Sequence, residues 1–360
     1  MLYLHGIGHF HPEAELDNAF LVSLDIGVDE SWILRRLGIR TRRTVLDRDY
    51  IRHTKNQDPR AANEASLYTN AQTGSLAATL ALQSAGLTAA DIGLVINGGC
   101  SPQWFIPAEA CVISSALGIE APAFDLNSAC ATFAVQVKFL DAMETASFPD
   151  FVLLTQVENN TRTIDYRDPR SAAIWGDCST ALIVSKSIPS GITIEGFPPM
   201  SCPAKWHAVR VPVSGHFAQD GPAVHAFAIR TMHALVRDIR RSSGLDDVYF
   251  IGHQANLPAL MAVCEKAEIP SERHLFNIEK FGNCGAAGAP SVLSQHLRTL
   301  KSGDSVVIAV VGSGLTWGGL CVRMVCEPAL NDGVRWESTG VGEPSTLNGI
   351  GEICTAGIRP

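Results

Sequence analysis

The residues best placed to do chemistry are a thiol, an imidazole and a carboxamide. Cys130 follows the apolar stretch Ala121-Pro122-Ala123-Phe124-Asp125-Leu126 through the turn Asn127-Ser128-Ala129. It opens a segment rich in apolar residues, among them Phe133, Val135, Val137, Phe139 and Leu140. The pattern is a short strand, a tight turn and a helix from Cys130 to about Met143, buried on most sides. At a helix start the unpaired N–H groups and the macrodipole favour negative charge, so a thiol there becomes a nucleophile near neutral pH. An ordinary core cysteine is an equal alternative on this stretch alone, because free cysteine is among the most buried residue types. His253, in Ile251-Gly252-His253-Gln254-Ala255-Asn256, directly follows an apolar strand. Asn283, in Phe281-Gly282-Asn283-Cys284-Gly285, occupies a glycine-flanked turn ahead of a small-residue helix. Parallel sheets gather their sites at the C-terminal ends of strands. A lone His or Asn there is more often a satisfied polar group, but the equivalent placement of all three favours one shared pocket.

The elements that would position them repeat. Residues 86–97, 123–137 and 148–158 read as strand, strand–turn–helix and strand, and residues 244–256, 275–293 and 302–314 read the same way. Matching strands within each half lie about 30 residues apart, the spacing of strand–helix–strand units in a parallel sheet. Aligning Phe124-Asp125-Leu126 with Phe276-Asn277-Ile278 puts Cys130 and Cys284 at equivalent helix starts. The expected architecture is a layered α/β fold of two similar halves with their central helices back to back. Residues 1–186 form the first half, 187–220 an irregular proline-containing connector, and 221–326 the second half. Residues 327–360, rich in Gly, Ser, Thr and Pro with little periodicity, read as a tail outside the core and a candidate for disorder.

Composition narrows the function classes. The chain has 360 residues and a formal net charge of −8, which argues against general nucleic-acid binding. The sequence carries no pattern of a basic region followed by an apolar run at its start, and no apolar stretch long enough to span a bilayer. The ten cysteines contain no CxxC pair and no Cys/His spacing suited to zinc, so no metal is expected and the thiols read as reduced, as in a cytoplasm.

With these motifs in place, the sequence resembles β-ketoacyl-acyl-carrier-protein synthase III and its relatives of the thiolase fold, nearly throughout from Leu2 to Val325. The likeness rests on Asp29-Glu30-Ser31-Trp32-Ile33, Gly38-Ile39-Arg40, Ala129-Cys130-Ala131, Gly176-Asp177, His253-Gln254-Ala255-Asn256, Gly282-Asn283 and Gly312-Ser313-Gly314-Leu315-Thr316-Trp317-Gly318. It implies two βαβαβαββ-type halves in a five-layer αβαβα arrangement and a homodimer. It also implies Cys130 as the acyl-accepting nucleophile, with His253 and Asn283 completing a Cys-His-Asn site. Backbone N–H groups at Cys130, Gly312, Ser313 and Gly314 would hold the oxyanion. By the same resemblance, Trp32 and Arg162 flank the coenzyme A adenine, Arg36 lies along the phosphate path, and Phe105 stands near the acyl pocket at the dimer interface. The substrates would be thioesters of coenzyme A or of a carrier protein's phosphopantetheine, with no further cofactor. No carboxylate in these motifs is placed as a proton-abstracting base, which favours a decarboxylative Claisen condensation with a malonyl or β-ketoacyl partner.

Two departures point to a specialised relative, such as one that builds a secondary metabolite of the α-pyrone antibiotic kind. Pro258 stands where carrier-protein-dependent members often have an arginine at the docking surface. A substitute is the stripe of Arg230, Arg237 and Arg241, with Arg240 beside it, which could receive an acidic carrier protein. The turn after Asn283 reads Cys-Gly where primary-metabolism members commonly have Thr-Ser. Two rival readings are an acyltransferase that passes the acyl group to an alcohol or amine, and a non-catalytic subunit of a heterodimeric synthase. The intact Cys-His-Asn set argues against both.

Overall fold

The computed structural model describes residues 1–326; the tail expected at 327–360 lies outside the described residues. Nine strands organise the chain: β1 (Leu2–Phe10), β2 (Ile92–Gly98), β3 (Ala123–Asp125), β4 (Phe151–Glu158), β5 (Cys178–Ser185), β6 (Ile192–Gly196), β7 (Tyr249–Gly252), β8 (Ser305–Gly312) and β9 (Thr316–Met324). They form one hydrogen-bonded path in the order β7-β8-β9-β6-β1-β5-β4-β2-β3, and Met200–Ser201 adds a short tenth strand against β9.

That path is two copies of one pattern. In the first half β2 runs parallel to both β3 and β4, while β5 and β1 continue antiparallel. In the second half β7 runs parallel to β8, and β9 and β6 continue antiparallel. A parallel bridge between Phe250 and His274 stands where β3 stands in the first half. Along the sheet path the halves join where Leu2 and Tyr3 of β1 meet Ile194 and Thr193 of β6.

Among the described residues seven helices have eight residues or more: α1 (Glu30–Leu37), α2 (Asn70–Ala85), α3 (Glu109–Leu117), α4 (Thr132–Ala142), α5 (Gly221–Ser243), α6 (Leu257–Lys266) and α7 (Gly288–His296). On one outer face α2 packs on β1 and β5, and α3 on β2 and β3; on the other, α5 packs on β8 and β9 with α6 against it. Between them, α4 touches β1, β2 and β4 of one half and β6 and β9 of the other, while α7 touches β1, β5 and β7. The expected five layers and thiolase-type architecture are therefore present, with α4 and α7 in the middle. Small residues make this possible: Gly285, Ala286, Ala287, Gly288 and Ala289 are all buried at the start of α7.

Two local differences from the sequence reading matter. The connector contains β6, whose Ile192 and Ile194 are buried; flanking prolines masked a strand that carries the junction of the halves. Within the same stretch Val209–Arg210 pairs with Ala218–Gln219 as a two-stranded ribbon. The helix expected from Cys130 begins at Thr132, so Cys130 stands in the turn ahead of it.

Candidate active site

Cys130 is held by a strained turn. Ala129 has φ +49°, a left-handed conformation that a residue with a Cβ adopts only at a cost of about 1–3 kcal/mol. The turn is closed by Ala131 N–H donating to Ser128 O at 3.1 Å and Thr132 N–H to Ala129 O at 2.9 Å. The Thr132 hydroxyl accepts from Ser128 N–H at 2.8 Å, and Asn127 Oδ1 accepts from Ala129 N–H at 2.9 Å. Phe133, Val137 and Leu140 of α4 are fully buried. At about 1.5–3 kcal/mol for each such side chain, their burial outweighs the strain and fixes the turn. Gly312, at the end of β8, completes the close fit: a Cβ there would stand 2.9 Å from Cys130 N and 2.8 Å from Ala131 N.

His253 extends β7 by one residue, its N–H donating to Ala309 O of β8 at 2.9 Å. Beside it Gln254 Nε2 donates to Gly252 O at 2.7 Å, while Gln254 Oε1 accepts from Asn277 N–H at 3.1 Å. His253 Nδ1 is buried without a protein partner. Asn283 is tied to the first half of the chain by its N–H to Ile174 O at 2.8 Å and by Gly176 N–H to Asn283 O at 3.1 Å. Asn283 Oδ1 accepts from Gly285 N–H at 3.0 Å, an arrangement that leaves the Nδ2 donor for the cavity. Cys130, His253, Asn283, Gly312 and Ser313 all line one cavity of about 200 Å³. Three distant segments thus converge, as the sequence pattern suggested. Gly314 lines neither this cavity nor the smaller one beside it.

The electrostatics at Cys130 favour the thiolate. Its thiol is held well below the ordinary range, first by a hydrogen bond from the Cys100 thiol and then by the charge and hydrogen bond of His253, against the opposing effect of burial. Cys100 is pushed up by the same hydrogen bond, by burial and by the Glu158 carboxylate, so it stays protonated and acts as donor. Glu158, at the end of β4, accepts from Cys100 N–H at 2.9 Å and Ala286 N–H at 2.8 Å. Burial, and then the charge on Cys130, push its carboxyl up to about 8. Sequence reasoning missed Cys100 and Glu158; the only signal for Glu158 was its place at the C-terminal end of a parallel strand.

A smaller cavity of about 170 Å³ also opens on Cys130, lined by Cys100, Asn160, Trp175, Phe217 and the 209–211 segment. Trp175, Val209 and Phe217 border both cavities. The expected connector therefore supplies part of the site wall, which nothing in its composition announced.

The remaining expected residues divide. Trp32 and Arg36 share α1, whose Leu37 lines the larger cavity, and Asn256 at the same mouth donates from Nδ2 to Arg36 O at 2.7 Å. Trp32 is half-buried and Arg36 exposed, and neither lines the cavity itself. Arg162 corrects the sequence reading: it is only 3% exposed, so it cannot flank a ligand at the entrance. Its guanidinium donates to Asn70 Oδ1 at 2.6 Å, Ser101 O at 2.9 Å and Asn63 Oδ1 at 3.0 Å, bonds that stitch the turn after β4 to the start of α2. Arg167 and Arg170, in the same stretch, are the exposed cations. Arg240 is a second correction. It caps carbonyls of Leu245 and Ala267 rather than standing free, whereas Arg230, Arg237 and Arg241 are exposed on α5 and the last two share Asp238. Pro258 sits in the first turn of α6, where a proline forfeits no hydrogen bond. Cys284 is buried beside Cys178 and Phe281, outside both cavities. Phe105 is 80% exposed and Ile106 83%, on the loop leading into α3. No group of His, Cys, Asp and Glu suited to a metal ion occurs among the described residues. No helix among them is long and apolar enough to cross a membrane.

Comparison with known proteins agrees with this architecture. The family model "3-Oxoacyl-[acyl-carrier-protein (ACP)] synthase III" matches residues 124–197, and the model of that family's C-terminal region matches residues 241–324. The chain is 28% identical over 336 residues to the β-ketoacyl-[acyl-carrier-protein] synthase III of Coxiella burnetii, covering 89% of this chain and 98% of that one. Among solved structures, 3-oxoacyl-[acyl-carrier-protein] synthase III from Aquifex aeolicus superposes with a TM-score of 0.79 at 26% identity, covering 90% of this chain and all of that one. The Pseudomonas aeruginosa enzyme gives 0.77 at 27%, covering 92% and 99%. Together with the strand order and the shared cavity, these matches support a β-ketoacyl-acyl-carrier-protein synthase III-like condensing enzyme of the thiolase fold, a transferase.

Proposed function

We propose that the protein condenses an acyl group held on Cys130 with a carrier-protein-bound malonyl or β-ketoacyl partner. The observation that carries this reading is the convergence of Cys130, His253 and Asn283 on one cavity, with the thiol held in its reactive range. In the first half-reaction the Cys130 thiolate attacks the thioester carbonyl carbon of coenzyme A or carrier-protein substrate. The tetrahedral oxyanion is met by backbone N–H groups at Cys130 and in the Gly312-Ser313 turn, and the donor's thiolate leaves. One thioester replaces another, so the intermediate is neither a trap nor a peak. In the second, a malonyl partner loses carbon dioxide and the electron pair of the broken C–C bond becomes an enolate. His253 and Asn283 Nδ2 donate hydrogen bonds to its thioester oxygen. The enolate carbon attacks the acyl carbonyl and the Cys130 thiolate leaves.

Around this centre we place the carrier protein on the exposed Arg230, Arg237 and Arg241 of α5, with Trp32 and Arg36 at the entrance. A second copy of the chain would cover the free edge at β3, where Asp125 accepts N–H groups from Glu109 and Ala110 and anchors the loop of Trp104, Phe105 and Ile106. The nine cysteines among the described residues are free thiols, which fits a cytoplasmic setting. The departures at Pro258 and Cys284 favour secondary metabolism, including antibiotic biosynthesis, over primary fatty acid synthesis.

The test is intact-protein mass spectrometry with a panel of acyl thioesters. Cys130 gains the acyl mass, Cys130→Ala does not, and malonyl-carrier protein then yields a 3-oxo product. His253→Ala and Asn283→Ala acylate but do not condense. Release of the acyl group as an ester or amide would instead make the protein an acyltransferase, and no acyl-enzyme with any donor would make it a non-catalytic subunit.

A further inference from the structure

The smaller cavity beside Cys130 has a chemical character that an alkyl chain does not satisfy. Two of its lining residues, Asn160 and Trp175, are at least nine-tenths buried. Asn160 Nδ2 and Trp175 Nε1 both lack a hydrogen-bond partner. The indole N–H is a donor only, with no alternative orientation that turns it into an acceptor. Trp175 is held edge-on against Phe217, with ring centroids 4.8 Å apart, and its backbone is fixed by the bridge to Asn283. Asn160 lies in the turn Asn160–Thr163, where its carbonyl accepts from the Thr163 hydroxyl at 2.9 Å. Its Nδ2 stands 2.9 Å from the place a Cβ on Gly285 would occupy, close to the Glu158 carboxylate. Buried donors are almost always paired in folded proteins, and leaving one unmet is costly. Two orphan donors from different segments, on the wall of a cavity that opens on the nucleophile, call for an acceptor that arrives with a ligand.

We propose that the acyl chain carried on Cys130 bears a hydroxyl or keto oxygen, and that Asn160 Nδ2 and Trp175 Nε1 recognise this oxygen in the smaller cavity. The inference rests on Cys130 being the acyl acceptor. It assigns Asn160 and Trp175 as specificity-determining residues. A plain alkyl chain in the same place offers neither donor a partner. A site built to hydrogen-bond an oxygen therefore rejects the analogue that lacks it.

The experiment measures the rate at which Cys130 gains acyl mass from pentanoyl-, 3-hydroxypentanoyl- and 4-hydroxypentanoyl-coenzyme A. It compares the wild type with Trp175→Phe and Asn160→Leu; Trp175→Phe keeps an aromatic ring while removing the N–H. At least one hydroxyacyl donor is expected to react faster than pentanoyl in the wild type. Its advantage should fall by about fivefold or more in each variant, the factor that corresponds to one lost hydrogen bond. Comparing the ratio across variants cancels the intrinsic reactivity of each thioester. Should Asn160→Leu fail to fold, Trp175→Phe carries the same test. If all three donors acylate the wild type and neither hydroxyacyl donor is favoured, or the variants leave the ratio unchanged, the inference falls while the acyl-enzyme reading stands. If no donor acylates Cys130, that reading falls first and takes this one with it.

Discussion

Replacing Cys100 with alanine tests whether the reactivity of Cys130, the proposed nucleophile, is set by its neighbours. The Cys100 thiol hydrogen bond is the largest influence holding Cys130 below its ordinary range, ahead of His253. A hydrogen bond to a charged group contributes about 1.5–3 kcal/mol, and a thiol is a weak donor, which puts this one near the lower end. Because one pKa unit corresponds to about 1.4 kcal/mol, Cys100→Ala should raise the Cys130 pKa by roughly one unit. Cys100→Ser restores a donor of similar size and should return the value towards the wild type. The assay is the pH dependence of Cys130 alkylation by iodoacetamide, followed on the Cys130 peptide by mass spectrometry, with Tm recorded to separate a folding defect. The wild type should inflect well below 9, the alanine variant about one unit higher, and the serine variant between them. Superimposable profiles for wild type and Cys100→Ala would refute the assignment and leave His253 and the backbone to account for the thiolate.

Other perturbations follow from the same geometry. Glu158 has a folded-state value of about 8 against an ordinary 4.5, so its protonated form favours the fold. Its contribution is complete below about pH 4.5 and is lost as pH rises through 8. Glu158→Gln should therefore flatten the fall in stability across that window, read by urea denaturation at pH 5 and pH 8; an unchanged slope would show that another group carries it. Phe105→Glu puts a charge at the exposed apolar loop and should convert a dimer to a monomer by light scattering, an effect of several kcal/mol if that loop is buried between copies. A wild type that is already monomeric would remove the edge from the interface. Arg237→Glu should raise the KM for a carrier-protein-bound substrate severalfold and leave coenzyme A thioesters unaffected. Equal KM values would move docking off α5.

Much of this molecule was legible along the chain because its signals are local. The strand–turn–helix around Cys130, the strand ending at His253 and the glycine-flanked turn at Asn283 are each written in a few consecutive residues. The repeat of that grammar led to two like halves and a layered fold. What contiguous residues cannot encode is which distant side chains become neighbours, or which charges end up covered. Arg162 reads as a surface cation in sequence, yet the fold surrounds it with the oxygens of Asn63, Asn70 and Ser101. Cys100 and Glu158 carry no motif of their own, and matter only because β4 ends behind the turn that holds Cys130. Likewise Asn160, Trp175 and the 209–219 ribbon form one wall through packing across the halves. Hydrophobic period and turn chemistry act over a few residues, so sequence alone determined most of the elements and picked out Cys130, His253 and Asn283 as candidates. Desolvation and hydrogen bonding act between whatever the finished fold brings together, and only the tertiary structure decided the charge state of the thiol and the polarity of its pocket.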